Sequence, residues 1–368
     1  MQAEDYMRMA LELAEKGCGW TNPNPMVGAV IVQDGRVIGC GYHEKYGEKH
    51  AERNALADCT ESPRGATMYV TLEPCCHTGR QPPCVDAILE SGIAQVVVGA
   101  MDPNPLVAGK GVQILRAHGV EVQTGVLEQP CKALNRVFFH YIQTKRPYVV
   151  LKYAMTLDGK IATYTGASRW ITGEQARRRV HEDRNRYQAI LVGVGTVLAD
   201  DPQLTCRIPG GRDPVRIVCD THLRTPLTAQ LVRTARQTPT WLATCCDDPA
   251  RAAPYRDAGC QICVLPQEGD AVSLPALMDY LGAQGIDSVL LEGGAALHGA
   301  ALSSGIVQRV QAYIAPKLFG GQDAPSPVGG QGVGQPDQAF QLQNIECTRL
   351  GADFLIEGEV ENHVHRHC

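Results

Sequence analysis

The chain has 368 residues, 44% of them hydrophobic and 20% charged, with a formal net charge of −5 and no long basic run. That length suits two domains with cores of ordinary size, and the charge argues against strong electrostatic capture of nucleic acid while leaving room for a local basic groove. No stretch approaches the roughly 18 to 20 apolar residues of a membrane span. The fifteen cysteines read as thiols or metal ligands rather than disulfides.

The first segment carries acids early and apolar residues at helical spacing. This predicts an amphipathic helix over 3–17, not a signal peptide, and so a cytoplasmic protein. Val27 to Val32 and Arg36 to Tyr42 read as strands joined by the Asp34-Gly35 hairpin signal. A helix from His50 to Cys59 follows. Then come a strand (Thr67 to Leu72), a helix (Pro82 to Ser91), a strand (Gln95 to Ala100), a helix (Lys110 to His118), a strand (Val120 to Thr124) and a helix (Glu128 to Tyr141). The short polar stretch Thr144-Lys145-Arg146-Pro147 marks a boundary, which gives domains over 1–145 and 146–368. The second part alternates again. Tyr148 to Met155 starts a strand, and further strands are predicted at 188–194, 214–219, 240–244, 260–264, 287–291 and 309–315. Residues 320–337 form a Gly/Pro/Gln-rich loop, and Cys347 to Gly358 closes the domain as a strand. Cys40, Cys219 and Cys263 sit in strand-like runs, as buried thiols do. The tail with His363, His365, His367 and Cys368 reads as frayed.

Thr71-Leu72-Glu73-Pro74-Cys75-Cys76-His77-Thr78-Gly79-Arg80-Gln81-Pro82-Pro83-Cys84 holds three cysteines and a histidine. A catalytic zinc takes three protein ligands and keeps a fourth position for water. His50, Cys75 and Cys84 supply one imidazole and two thiolates, a set that suits zinc. Pro82-Pro83 pre-sets the backbone at a helix start, where a thiolate is favoured over a thiol. Glu52, two residues beyond the imidazole, is the carboxylate needed to move a proton beside such water. This is the His-x-Glu and Pro-Cys logic of zinc nucleobase deaminases. That pattern usually closes as Cys-x-x-Cys, whereas eight residues separate Cys75 from Cys84 here. Either Cys84 is the ligand across a long insert, or the pattern is accidental. Cys76 reads as a non-ligand, and His77 as a competing ligand or as polar lining beside Arg80.

Five stretches together resemble the deaminase half of the bifunctional riboflavin-biosynthesis deaminase–reductase family. They are Thr21-Asn22-Pro23-Asn24-Pro25-Met26-Val27-Gly28, His50-Ala51-Glu52, Thr71 to Cys75, Gly79 to Cys84 and Asp102-Pro103-Asn104-Pro105. The widened cysteine spacing is that family's own. Leu151 to Lys160, Ser168 to Thr172, Val194 to Pro202 and Leu291-Glu292-Gly293-Gly294 resemble its reductase half. Cys76 stands where serine or asparagine is commoner, and Thr156 where serine is frequent.

The resemblance implies an α/β protein with a cytidine-deaminase-like domain followed by a dihydrofolate-reductase-like domain. It implies zinc-dependent loss of the 2-amino group from a phosphorylated diaminopyrimidine, then NADPH-dependent reduction of ribosyl to ribityl. Glu52 is then catalytic, with Asn22, Asn24 and His43 against the base and Asp102 and Asn104 against the substrate. No Gly-x-Gly-x-x-Gly follows a strand, so a Rossmann site is not supported. Glycines at the turn after Leu291 suit close approach to phosphate. With the resemblance, Gly294, Ala295, Ala296, Leu297, His298, Gly299 and Ala300 become the pyrophosphate segment. Ala154, Trp170, Thr196, Asp200 and Thr221 are implied as further cofactor contacts. Ser168, Arg184, Leu204, Arg207 and Glu292 are implied as substrate contacts. Arg184 and Arg207 suit a phosphate because guanidinium grips it with two bonds, and Lys152 is placed to polarise the sugar. The partners expected are small phosphorylated pyrimidines, with neither nucleic acid nor membrane. A homo-oligomer is compatible with all of this. Two competing readings are a nucleic-acid base deaminase and a structural zinc module, which would need a fourth protein ligand.

Overall fold

Alternation of apolar strands with amphipathic helices builds two compact units, Met1–Lys145 and Arg146–Cys368. The computed structural model describes residues 1–104 and 107–361. Pro105 of the Asp102 to Pro105 motif and the histidine-bearing tail lie outside the described residues. No helix among the described residues is long and apolar enough to cross a membrane, and no described cysteine forms a disulfide.

The first unit runs α1 (Ala3–Glu15), β1 (Gly28–Gln33), β2 (Arg36–Tyr42), α2 (Ala51–Ala57), β3 (Thr67–Leu72), α3 (Cys84–Ser91), β4 (Gln95–Ala100), α4 (Lys110–Ala117), β5 (Glu121–Thr124), α5 (Glu128–Leu134) and α6 (Arg136–Thr144). Its five strands lie in the order β2-β1-β3-β4-β5. The β1–β2 hairpin and β1–β3 are antiparallel, while β3, β4 and β5 run parallel. Val30, Ile31, Met68, Val70, Val96 and Val98 form the centre of a core that α1 and α2 also enter through Met7, Ala10, Ala51 and Ala55.

One predicted helix is two. The run from Glu128 breaks at Asn135, which is 2% exposed and turned inward. Its side-chain oxygen accepts from Met26 N at 2.8 Å, and its amide donates to Met26 O at 2.8 Å. These bonds satisfy the buried amide on another segment, so the helical axis restarts at Arg136.

The second unit runs β6 (Tyr148–Thr156), α7 (Glu174–Arg186), β7 (Ala189–Gly193), α8 (Val194–Asp200), β8 (Val215–Cys219), α9 (Gln230–Arg233), β9 (Thr240–Thr244), α10 (Pro249–Ala258), β10 (Gln261–Val264), β11 (Gln267–Glu268) and β12 (Ala271–Val272). It continues with α11 (Leu274–Ala283), β13 (Ser288–Leu291), α12 (Ala295–Ser303), β14 (Arg309–Ala315), β15 (Leu342–Leu350) and β16 (Asp353–Val360). Nine strands form one sheet in the order β10-β9-β8-β7-β13-β6-β14-β16-β15. Strands β10 to β14 in that order pair in parallel, and only β16 runs against them, pairing antiparallel with both β14 and β15. The single strand predicted at Cys347 to Gly358 is therefore a hairpin. Gly351 at its turn has φ +68°, a conformation glycine adopts freely.

Close backbone packing fixes where α2 sits. A Cβ on Gly41 of β2 would lie 2.2 Å from Ala55 N and 2.5 Å from Ala51 O. Only a residue without a side chain lets α2 approach that strand. Gly41→Ala should destabilise the first unit by about 1–3 kcal/mol through overpacking, read as a lower midpoint in chemical denaturation.

Candidate active sites

In the first unit two helix starts meet. His50 is the residue before α2, and Cys84 opens α3 behind Pro83. Cys75 lies on the segment after β3. Cys75 Sγ is 3.5 Å from His50 Nδ1, and Cys84 Sγ is 3.4 Å from the same atom. Zinc bonds of about 2.0–2.1 Å to nitrogen and about 2.3 Å to sulfur span about 3.5 Å along a tetrahedral edge. The donors are therefore spaced for one ion. Among the described residues these three form the one such group. Arg53 donates to Pro83 O at 2.8 Å and ties the start of α3 to α2.

The donor chemistry agrees. A hydrogen bond from the Cys84 thiol, then His50, pull Cys75 well below the ordinary thiol range. Cys84 N also donates to Cys75 Sγ at 3.3 Å. Sharing with Cys75, then burial, push Cys84 well up. Glu52 is 3% exposed. Burial, then the Cys75 charge, raise its carboxyl. Two thiols and a carboxyl competing for protons in one buried place are relieved by a divalent cation.

A cavity of about 290 Å³ opens on this group. Asn24, His43, Glu52, Asp102 and Asn104 line it with Phe138, Tyr141 and Ile142, whereas Asn22 is not part of its wall. His43 Nδ1 lies 3.0 Å from Lys49 O, and a carbonyl only accepts, so the hydrogen sits on Nδ1. Nε2 then accepts from the Asn24 amide at 3.2 Å. Asn24 is thereby oriented, with its oxygen left as an acceptor. Burial lowers the His43 pKa and keeps the ring neutral for this role. Asp102 is buried and its carboxyl is raised to about 6, by burial first.

His77 is exposed and lines the cavity without joining the metal donors. Cys76 packs against the core. Sequence reasoning missed Glu73, a buried carboxylate that accepts from the backbone N–H groups of Asp102, Gly109 and Val112. It holds the loop that carries Asp102 and Asn104. Locally it is just the residue before Pro74-Cys75, and its three partners lie 29 to 39 residues away.

In the second unit a cleft of about 750 Å³ lies along the carboxyl ends of β6, β7, β8 and β13. That is where open parallel sheets bind ligands. Lys152, Ala154, Ser168, Thr196, Asp200, Thr221, Glu292, Gly294, Ala295, Ala296, Leu297, His298 and Ala300 all line it. Cys219 joins them at the end of β8, so it is more than core filling. Strand β12 of the β11–β12 hairpin, which the sequence did not signal, adds Ala271 and Val272.

Gly299 faces away from the cleft, toward the Gly/Pro-rich loop. A Cβ there would lie 2.1 Å from Gly329 O. Trp170 is 60% exposed, with the Arg177 guanidinium 4.7 Å over its ring. Leu204 is buried in the core behind α8.

Arg184 meets Glu292 through two parallel bonds of 2.9 Å, and Lys152 Nζ lies 3.6 Å from the same carboxylate. Burial pushes Glu292 up, but Arg184 and then Lys152 outweigh it and bring it down to about 2. His298 is 1% exposed. Its Nδ1 meets Pro327 O at 2.8 Å and so carries the hydrogen. Its Nε2 is a buried acceptor without a partner among the described residues.

The chain matches two families in turn. Residues 1–100 match the cytidine and deoxycytidylate deaminase zinc-binding region, and residues 147–356 match the RibD C-terminal domain. The riboflavin biosynthesis protein RibD of Actinobacillus pleuropneumoniae is 56% identical, over 96% of this chain and 94% of that protein. That of Escherichia coli K12 is 41% identical, over 97% and 99%.

The chain belongs to the RibD family.

A solved diaminohydroxyphosphoribosylaminopyrimidine deaminase/5-amino-6-(5-phosphoribosylamino)uracil reductase from Thermotoga maritima superposes with a TM-score of 0.86. It is 40% identical and covers 98% of this chain and 99% of its own. RibD of Acinetobacter baumannii superposes at 0.87, with 38% identity and the same coverage. The chain is thus a bifunctional enzyme of riboflavin biosynthesis, a zinc-binding deaminase domain followed by a reductase domain. Both cofactors that membership implies fit the residues present. The nitrogen and two sulfurs suit zinc. The free N–H groups at the start of α12 and the unpartnered His298 Nε2 suit the phosphates and a hydrogen-bond donor of NADPH.

Two outcomes follow from this geometry. Cys84→Ala should lower the zinc content of purified protein from about one equivalent to near none, because a three-ligand site loses a donor, as elemental analysis would read. A carboxylate held near 2 against an ordinary 4.5 stabilises the fold fully above pH ~4.5 and loses that contribution as pH falls through 2. The stability gap between the natural protein and Glu292→Gln should therefore shrink over that window in urea unfolding.

Proposed function

We propose that the first site removes the 2-amino group of 2,5-diamino-6-(5-phosphoribosylamino)pyrimidin-4-one. The second site then reduces the ribosyl group of the resulting 5-amino-6-(5-phosphoribosylamino)uracil to ribityl. The observation that carries this reading is Glu52, buried beside a three-donor metal group at the floor of a cavity sized for one pyrimidine. A structural zinc site would normally close with four protein ligands.

Zinc held by His50, Cys75 and Cys84 supplies Lewis acidity that makes hydroxide available near neutral pH. Glu52 carries the proton. Its carboxylate takes one proton from the attacking water and hands it to the ring nitrogen beside the reacting carbon, then takes a second from the added hydroxyl and hands it to the departing amino group, which leaves as ammonia. Burial raises the Glu52 pKa, which suits a group that must both take and give a proton. Asn24 presents its oxygen to a donor on the base because His43 fixes the amide. Asp102 and Asn104 meet the far side of the ring, and Arg80, stacked 4.6 Å over Tyr46 at the cavity edge, faces the charged arm.

NADPH supplies the hydride of the second step. The turn from Gly294 into α12 receives its pyrophosphate, and Ala154, Thr196, Asp200 and Thr221 line its path. Lys152, held by Glu292, donates to the opening sugar, and Ser168 and Arg207 hold the substrate. Arg184 serves the substrate through Glu292, since its side-on edge is already taken. The substrates are small phosphorylated pyrimidines, and nucleic acid is not among them.

Glu52→Gln should cut ammonia release by roughly 10²- to 10⁴-fold, the span of general acid–base catalysis. It should leave NADPH oxidation intact on pre-deaminated substrate. Loss of both activities in a folded variant would overturn the two-site reading.

A further inference from the structure

His181 takes no part in the chemistry above, yet it sits in a cluster of cations. It lies on α7, one turn before Arg184, and faces Arg207 on the segment after α8. Arg207 Nε is 3.2 Å from His181 Nε2, and Arg207 N is 3.3 Å from His181 Nδ1. Cys206 Sγ donates to His181 O at 3.3 Å and pins the two segments together.

A neutral imidazole has one lone pair and cannot accept from both donors. The charged guanidinium outcompetes the backbone amide, so the lone pair belongs on Nε2 and the hydrogen on Nδ1. Burial, then Arg184 and Arg207, bring the ring down to about 4, so it is neutral at physiological pH.

With Nε anchored, the side-on fork of Arg207 is closed. Its two terminal nitrogens have no partner among the described residues, and they form the remaining edge for a two-bond grip. Arg184 differs, because its fork is filled by Glu292 and a third bond goes to Thr205 O at 3.1 Å.

We infer that His181 is a positioning residue of the reductase site, holding Arg207 by Nε so that its end-on edge is kept for the phosphate ester of the substrate. This rests on the proposed role of Arg207 as a substrate contact.

The test uses the full-length enzyme with pre-deaminated substrate and with the same compound lacking its phosphate. His181→Ala should raise KM for the phosphorylated compound by about tenfold, the scale of one charge-assisted hydrogen bond. Its kcat should hold, and the dephosphorylated compound should be unaffected. His181→Gln, whose side-chain oxygen can replace the Nε2 acceptor, should restore KM. Adding His181→Ala to Arg207→Ala should cost nothing further, because both act through one contact. Unchanged NADPH affinity and thermal unfolding identify a folded variant.

Equal KM increases on both compounds, no rescue by glutamine, or additive effects would each overturn the inference. If Arg207→Ala leaves the preference for the phosphorylated compound intact, the proposed role of Arg207 fails. If Arg207→Ala abolishes that preference while His181→Ala keeps it, only the inference about His181 fails.

Discussion

The first site depends on bringing the amino ends of two helices to one point. A helix start carries unpaired N–H groups and partial positive charge, and both favour anions. His50 and Glu52 sit at one such start and Cys84 at the other. The arrangement places an imidazole, two sulfurs and a carboxylate within one small volume while the backbone offsets their negative charge. Nothing there works if either helix shifts. The bare backbone of Gly41 against α2 and the Arg53 bond to Pro83 are therefore part of the chemistry.

The second site solves a different problem. Three ionised groups, Lys152, Arg184 and Glu292, are half-buried or buried together. Each alone would be costly to remove from water. Two cations on one carboxylate leave a surplus positive charge beside the cleft, which suits a ligand carrying phosphate. The partnership spans strands β6 and β13 and helix α7, so the sheet brings the three groups together.

What could be read from the chain follows sequence distance. The grouping of His50, Cys75 and Cys84 was legible because His-x-Glu and the double proline are local signals of helix starts and Pro-Cys follows a strand. The parallel strands were legible as short apolar runs. Asn135 was not, since its partner Met26 is 109 residues away and an asparagine within a helical pattern carries no mark of facing inward. The engagement of Arg184 with Glu292 across 108 residues was equally silent. An arginine beside a phosphate and one beside a carboxylate look alike in sequence. The closing hairpin has a local mark after all: Gly351-Ala352-Asp353 interrupts two runs of strand formers, and the chain turns there.

The segment 320–337 has the composition of a slack linker, yet it is fastened at several points. Gly329 N donates to Ala295 O at 2.9 Å, the Gly329 carbonyl fills the space beside Gly299, and Pro327 fixes the His298 ring. Its glycines and prolines thus serve as shape, not as freedom. Homologues should drift little in length here, because a single inserted residue would slide the fastenings out of phase with α12. Anyone choosing a place to splice in a reporter should avoid this stretch, despite its disordered look on paper.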